Sequence, residues 1–372
     1  MPLILFGCGG PVYTSHPSQL GTTGHLAAGA GHTCVAQRDG SVSCWGSNPD
    51  GQLGLGSETD SPSPARVPGL GGISAVAAGS YHTCALASGG AVFCWGWNVG
   101  GQVGDGMLAN RLAPWEVAGL TSIDGIAMGS YHSCALLDDG SARCWGQNDA
   151  GQLGNGSALN SGAPVGVFSL PPSSRIAAGG RHSCALVLDG SVQCWGGNDV
   201  GELGDGTTTS HSFPEPVTGI SGATMVVAGF NHTCAVVMDG DVKCWGANGY
   251  GQLGDGTTID SATPVAVGGL SPSVTIAAGY NHTCAVHANG EAHCWGWNAA
   301  GQLGDGTTTD STTPVAVASL PGVTEIAGGG FHTCAAGEDG AVLCWGSNDS
   351  GQLGDGTTTN RSVPMPVAGV GL

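Results

Sequence analysis

Lysine is almost absent from this sequence. Lys243 is the only one, and with the arginines it makes 8 basic residues against 27 acidic ones, a formal charge of −19. Phosphate backbones are bound by clustered Lys and Arg, so no nucleic-acid partner is expected. Long apolar runs are missing too: no stretch approaches the roughly 18 apolar residues that span a bilayer, so the body is not membrane-spanning. Only 9% of residues are charged and 70 are glycine, which would suit a low-complexity tail, yet the glycines are periodic and 41% of the chain is apolar. That combination is an ordered, turn-rich β protein. Apolar residues nowhere recur at helical spacing, which rules against a helical solenoid.

What the sequence does contain is repetition. A His-Thr/Ser-Cys motif begins at His32, His82, His132, His182, His232, His282 and His332, and Cys-Trp-Gly begins at Cys44, Cys94, Cys144, Cys194, Cys244, Cys294 and Cys344. The period is fifty residues without slippage, and an unbroken array overrides the length-based expectation of two or three domains. Residues 26–372 are therefore assigned to one domain of seven repeats, preceded by an N-terminal segment, 1–25.

Residues 273–320 illustrate the repeat. Val274–Gly279, His282–Val286, Glu291–Trp295 and Pro314–Val317 read as four strands separated by glycine-rich turns. Four short strands per fifty residues predict an all-β, seven-bladed β-propeller with antiparallel blades. The small Ala-Ala-Gly ending of the first strand suits the crowded centre and is placed innermost. Leu372 stops where a further first strand would begin, so the ring is expected to be closed by the chain termini meeting in one blade.

The pattern Ala-Ala-Gly, His-Thr-Cys-Ala, Asp-Gly, Val-x-Cys-Trp-Gly-x-Asn, Gly-Gln-Leu-Gly-Asp-Gly and Pro-Val closely resembles the regulator of chromosome condensation repeat family, in all seven copies. The resemblance implies a seven-bladed propeller used for protein recognition. It implies no single activity, because one fold hosts many functions. The founding member is a nuclear exchange factor for a small GTPase. This chain has no basic tail, and its constant period leaves no room for an inserted exchange wedge. A secreted bacterial member of the family clamps its target with a propeller face, a precedent that this chain fits better.

Fourteen of the 15 cysteines form pairs ten residues apart: Cys34 with Cys44, Cys84 with Cys94, Cys134 with Cys144, Cys184 with Cys194, Cys234 with Cys244, Cys284 with Cys294 and Cys334 with Cys344. Each pair brackets a turn such as Arg38-Asp39-Gly40. A three-residue hairpin loop with glycine in the left-handed position puts the two cysteines opposite each other at a non-hydrogen-bonded site, close enough for a disulfide. Seven intra-blade disulfides imply an oxidising compartment, secreted or in the cell envelope. The alternatives are buried free thiols, or zinc held by His32, Cys34 and Cys44 in an incomplete ligand set. Cys8 is left over. It follows Leu5-Phe6-Gly7, which looks like a bacterial lipoprotein processing box, so Cys8 is a candidate for lipidation, against a spare thiol in a tail.

The recurrent Gly-Gln-Leu-Gly-Asp-Gly loops offer Asp205, Asp255, Asp305 and Asp355 as calcium ligands, but Leu55 and Asn155 replace the aspartate in two repeats. Turn chemistry explains the same residues. A phosphate-loop reading lacks the following helix and lysine. No nucleophile and base stand at a recognised spacing, and His16, His25, His211, His287 and His293 are scattered, so neither an enzyme nor a cofactor is expected.

The repeats differ most in two segments that emerge on one face, the connections between strands one and two and between strands three and four. Of 14 aromatic residues outside the repeat tryptophans, eight lie there: Tyr81, Trp97, Tyr131, Phe230, Tyr250, Tyr280, Trp297 and Phe331, with Arg181 among them. These residue types dominate interface energetics, so they are predicted to ring the central opening as a recognition surface. The alternative is that they cap the seams between blades. The sequence thus points to a monomeric, non-catalytic, secreted or cell-surface scaffold that binds a protein. The other readings are a structural or adhesive envelope component and an intracellular exchange-type regulator. If the cysteine reading is right, thiol titration of the secreted, denatured, unreduced protein finds none of the fourteen paired sulfurs free; fourteen reactive thiols would refute it.

Overall fold

The computed structural model describes residues 24–270, 272–320 and 322–372, which build seven four-stranded antiparallel sheets arranged as blades of a ring. The N-terminal segment with Cys8 lies outside the described residues, apart from Gly24 and His25. In the second blade the strands are Ile73–Ala78, His82–Ala87, Val92–Gly96 and Arg111–Glu116, paired in that order from the axis outward.

The hairpin between strands two and three sets the register. Gln37 N–H donates to Ser41 O at 2.8 Å and Gly40 N–H to Gln37 O at 2.8 Å, leaving Arg38-Asp39-Gly40 as a three-residue loop with Gly40 at φ +75°. Asp39 Oδ1 accepts from Ser41 N–H at 2.9 Å, holding the turn from outside. Cys34 is thereby paired with Cys44 across the ladder, and the sulfurs are joined. The other six blades repeat this, from Cys84–Cys94 to Cys334–Cys344. With the sulfurs joined and the His32 imidazole reaching Thr83 of the next blade, the three zinc ligands considered from the sequence do not converge.

Two expectations are corrected. The fourth strand of the type repeat runs Ser311–Ala316, not Pro314–Val317. Its register jumps between Cys294 and Gly296, whose partners are Val315 and Ser311. Pro314 falls in that bulge on an edge strand, where its missing N–H costs no ladder bond. The first and last described strands, moreover, do not share a blade, because each sheet holds four consecutive strands. They close the ring at the seam between the last blade and the first. There Leu372 N–H donates to Gly340 O at 3.0 Å, as Ile73 N–H donates to Gly40 O at 3.0 Å elsewhere. From the other end Leu26 N–H donates to Glu325 Oε1 at 3.0 Å.

Every seam is built from the same four positions, with Ser for Thr in two seams and Glu202 for Gln in one. The indole Nε1 of Trp95, fully buried, donates to Gln52 O of the preceding blade at 2.9 Å, and the Thr83 hydroxyl donates to that same carbonyl at 2.8 Å. Having spent its proton there, Thr83 Oγ1 accepts from His32 Nε2 at 2.8 Å, which fixes the imidazole as the Nε2–H tautomer. His82–Ser133, His132–Ser183, His182–Thr233, His232–Thr283, His282–Thr333 and His332–Thr33 complete the circle at 2.8–2.9 Å. The loop that supplies the carbonyl lies flat on its neighbour's indole: a Cβ on Gly54 would sit 2.8 Å from Trp95 Nε1, so only glycine fits at φ +70°.

Burial lowers the pKa of these seven histidines from 6.5 to about 3 or 4. The folded state keeps them neutral while the unfolded chain takes up protons below pH 6.5, so their contribution is complete above that pH and is lost as pH falls. Well below pH 6.5 each histidine costs about 1 kcal/mol per pH unit, so a fall of one to two units acting on all seven is comparable with the ~5–15 kcal/mol stability of an ordinary domain. The thermal midpoint should fall steeply from pH 6.5 toward 4, with proton uptake on unfolding. Calorimetry across that window checks it, and a flat midpoint would refute the neutral histidine ring.

Candidate functional face

The two variable segments are brought together by the backbone. Trp97 N–H donates to Tyr81 O at 2.8 Å, and the same bond joins Gln147 to Tyr131, Gly197 to Arg181, Ala247 to Asn231, Trp297 to Asn281 and Ser347 to Phe331. Residues that vary freely in sequence are thus held side by side at one end of each blade. The third-to-fourth loop itself is organised by a fully buried asparagine: Asn98 Oδ1 accepts from Val103 N–H at 2.9 Å, and Nδ2 donates to Met107 O and Ala109 O at 3.1 and 3.0 Å.

The rings collect into two clusters rather than a continuous circle. Tyr81, Trp97 and Tyr131 form one across the second and third blades, with centroids 5.7–6.5 Å apart. The other spans the fifth to seventh blades. In it Phe230 lies 4.8 Å from Tyr280, Tyr280 5.3 Å from Phe331, Phe331 5.1 Å from Trp297, and Trp297 6.3 Å from Tyr250. The first blade puts only Ala30 and Gly31 in the gap. The fourth puts Arg181 there, bound to Asp149 of the third blade at 2.6 Å. Tyr81, Tyr250 and Phe331 are exposed, and the other members of the two clusters are half-buried.

Tyr280 does not border an open channel; it closes one. Its hydroxyl crosses the axis to Ser80 Oγ of the second blade at 2.6 Å, and burial pushes the phenol up to about 12 although Ser80 and Ser130 hydrogen-bond to it. Of the predicted ring, only Phe230 and Tyr280 line the axial space on this face. Sequence reasoning missed Ser80 and Ser130, whose partner is 200 residues away in the case of Ser80, and Asp149, which anchors Arg181. It also passed over the rim of the ring. There Phe168 and Phe213 stack 6.4 Å apart and Arg111 lies 4.3 Å over Trp115, all but the arginine on exposed outer positions.

The His–Ser and His–Thr pairs have the spacing of a base beside a nucleophile, but their protons run the wrong way for that: the hydroxyl proton is given to a backbone carbonyl and the imidazole is the donor. The aspartates of the Gly-Asp-Gly loops turn inward to their own loops. Asp255 Oδ1 accepts from Thr257 N–H at 2.9 Å and Asn248 Nδ2 at 3.1 Å, while Asp105 and Asp355 bind Arg111 and Arg361.

A closed ring of seven four-stranded blades with its innermost strand first is a seven-bladed β-propeller. Its repeat motifs assign it further: the sequence model of the RCC1-like domain matches residues 11–274 and 176–371. The chain belongs to the RCC1-like family. No curated protein sequence matches it. Among solved structures it is similar to yeast RCC1 (Prp20), seen bound to Kap60, at 20% identity over 96% of this chain and 91% of that one, with a TM-score of 0.78. Human WBSCR16 is similar at 24% identity over 86% and 88%, with a TM-score of 0.77. The ectodomain of the Physcomitrella patens receptor kinase CR4 is similar at 21% identity over 87% and 74%, with a TM-score of 0.57. At these identities the likeness is one of fold.

A double-mutant cycle tests the axial bolt. Tyr280→Phe and Ser80→Ala should each lower stability, with a coupling of about 0.5–1.5 kcal/mol as for a partly buried hydrogen bond. Strict additivity in thermal denaturation would show that the two hydroxyls do not meet.

Proposed function

We propose that this propeller is a non-catalytic, extracytoplasmic scaffold that binds a protein through the face bearing the two aromatic clusters. The observation that carries the reading is that Tyr81, Tyr250 and Phe331 are exposed beside half-buried rings that support them, so anchors of hot-spot type are presented on a rigid base. Seven disulfides support an oxidising compartment and count against the intracellular exchange-factor reading. Yeast RCC1, a fold relative, is seen with a protein partner, Kap60, which supports protein recognition as a use of this architecture. The charge of −19 favours a neutral or basic partner surface over an acidic one.

The test uses a variant that spares the axial bolt. Tyr81→Ala with Phe331→Ala should weaken capture of a specific envelope protein by about 30-fold or more, the equivalent of a hot spot of about 2 kcal/mol, while the thermal midpoint stays within a few degrees of the parent. Unchanged capture refutes the assignment of the face. Broad adherence to wall polymer with no specific protein would favour the structural or adhesive reading instead.

A further inference from the structure

The axis of the ring holds a second cavity, on the side away from the aromatic clusters. It is walled by the innermost strands and has a volume of about 480 Å³, within the roughly 300–1,000 Å³ usual for small-molecule sites. Its deep end is the alanine belt of the innermost strands, with Met128 among the alanines, and beyond the belt lies the space that Tyr280 closes. The deep end offers no side-chain hydrogen-bonding group. Nearer the mouth the repeats diverge: the third residue of the first strand is Arg175, Met225, Thr275 and Glu325 in successive blades, and all four line the cavity.

The charges on this wall are unequally matched. Glu325 is already engaged, accepting from Leu26 N–H at 3.0 Å and lying 3.8 Å from His25 Nδ1. Thr324 donates to Ala336 O, and Thr275 turns to the Met225 sulfur. The Arg175 guanidinium makes no hydrogen bond and no ion pair with any described residue; Asp124 influences it only through space, and burial works against its charge. A cation of this kind on an apolar wall is under-compensated, and a carboxylate matches its planar fork with two parallel hydrogen bonds. A polyanion is disfavoured by the charge of the whole protein, whereas one carboxylate on an apolar body meets both features of the cavity.

We propose that this axial cavity binds a small amphipathic monocarboxylate, with its carboxylate on Arg175 and its apolar body against the alanine belt. The site is separate from the aromatic face and does not rest on the function proposed for it. Isothermal titration of the full chain with decanoate, below its micelle concentration, should give saturable 1:1 binding at least tenfold tighter than 1-decanol. Arg175→Gln should abolish that preference while leaving the weak binding of the alcohol. Thr275→Trp, which fills the cavity, should abolish both, and Met225→Trp serves the same purpose if that variant does not fold. Tyr81→Ala on the opposite face should change nothing. Equal affinity for acid and alcohol in the parent, a preference that survives Arg175→Gln, or no saturable binding would each overturn the proposal.

Discussion

One backbone carbonyl per seam holds this molecule together. Gln52 O accepts hydrogen bonds from the Trp95 indole and the Thr83 hydroxyl, and the hydroxyl oxygen is then free to accept one from His32 Nε2–H. Three consecutive blades are tied by this relay, because His32 and Gln52 belong to the first and Thr83 and Trp95 to the second, while His82 passes the pattern to Ser133 in the third. The rest of each seam is apolar, as where Leu86, Val92 and Val103 of the second blade pack on Ile126, Met128 and Trp145 of the third, and such packing is non-directional. Directional bonds from the His Nε2, the Thr or Ser hydroxyl and the Trp indole fix the rotation of one blade on the next, and their low-dielectric setting makes a broken link expensive.

The same constraint explains where the chain is free to vary. His32, Thr33, Cys34 and Trp45 are wholly buried in the seam, whereas the two residues before each histidine and the one after each Cys-Trp-Gly stand at the blade end, where a backbone bond joins the two segments whatever their side chains. Substitutions there alter the face without touching the relay. That is why the aromatic clusters depart from sevenfold symmetry while the seams keep it.

Much of the fold was legible in the sequence because it is local. The ten-residue spacing of Cys34 and Cys44 with Gly40 between them specifies loop length, register and sulfur proximity at once. The relay was not legible, since His32 and Thr83 are 51 residues apart and their relation exists only once two repeats are set side by side. The partner of Tyr280 was not legible either: its hydroxyl finds Ser80 across the axis, a distance no repeat alignment measures. Arg175 carried a signal that was passed over, a charge in a strand whose counterparts are mostly small or apolar, and its place in the second cavity depended on knowing that the strand is innermost.

The closing seam, between the last blade and the first, uses the same four positions as the six internal ones: His332 to Thr33, and Thr33 and Trp45 to Gln352 O. Among the described residues no strand is donated across it. A ring closed in this way has no privileged origin, because the chemistry that joins two blades takes no account of whether a peptide bond also joins them. The blade order along the gene is therefore a matter of ancestry rather than of mechanics, and duplication followed by a shift of the reading start at any inter-blade connection yields the same circle.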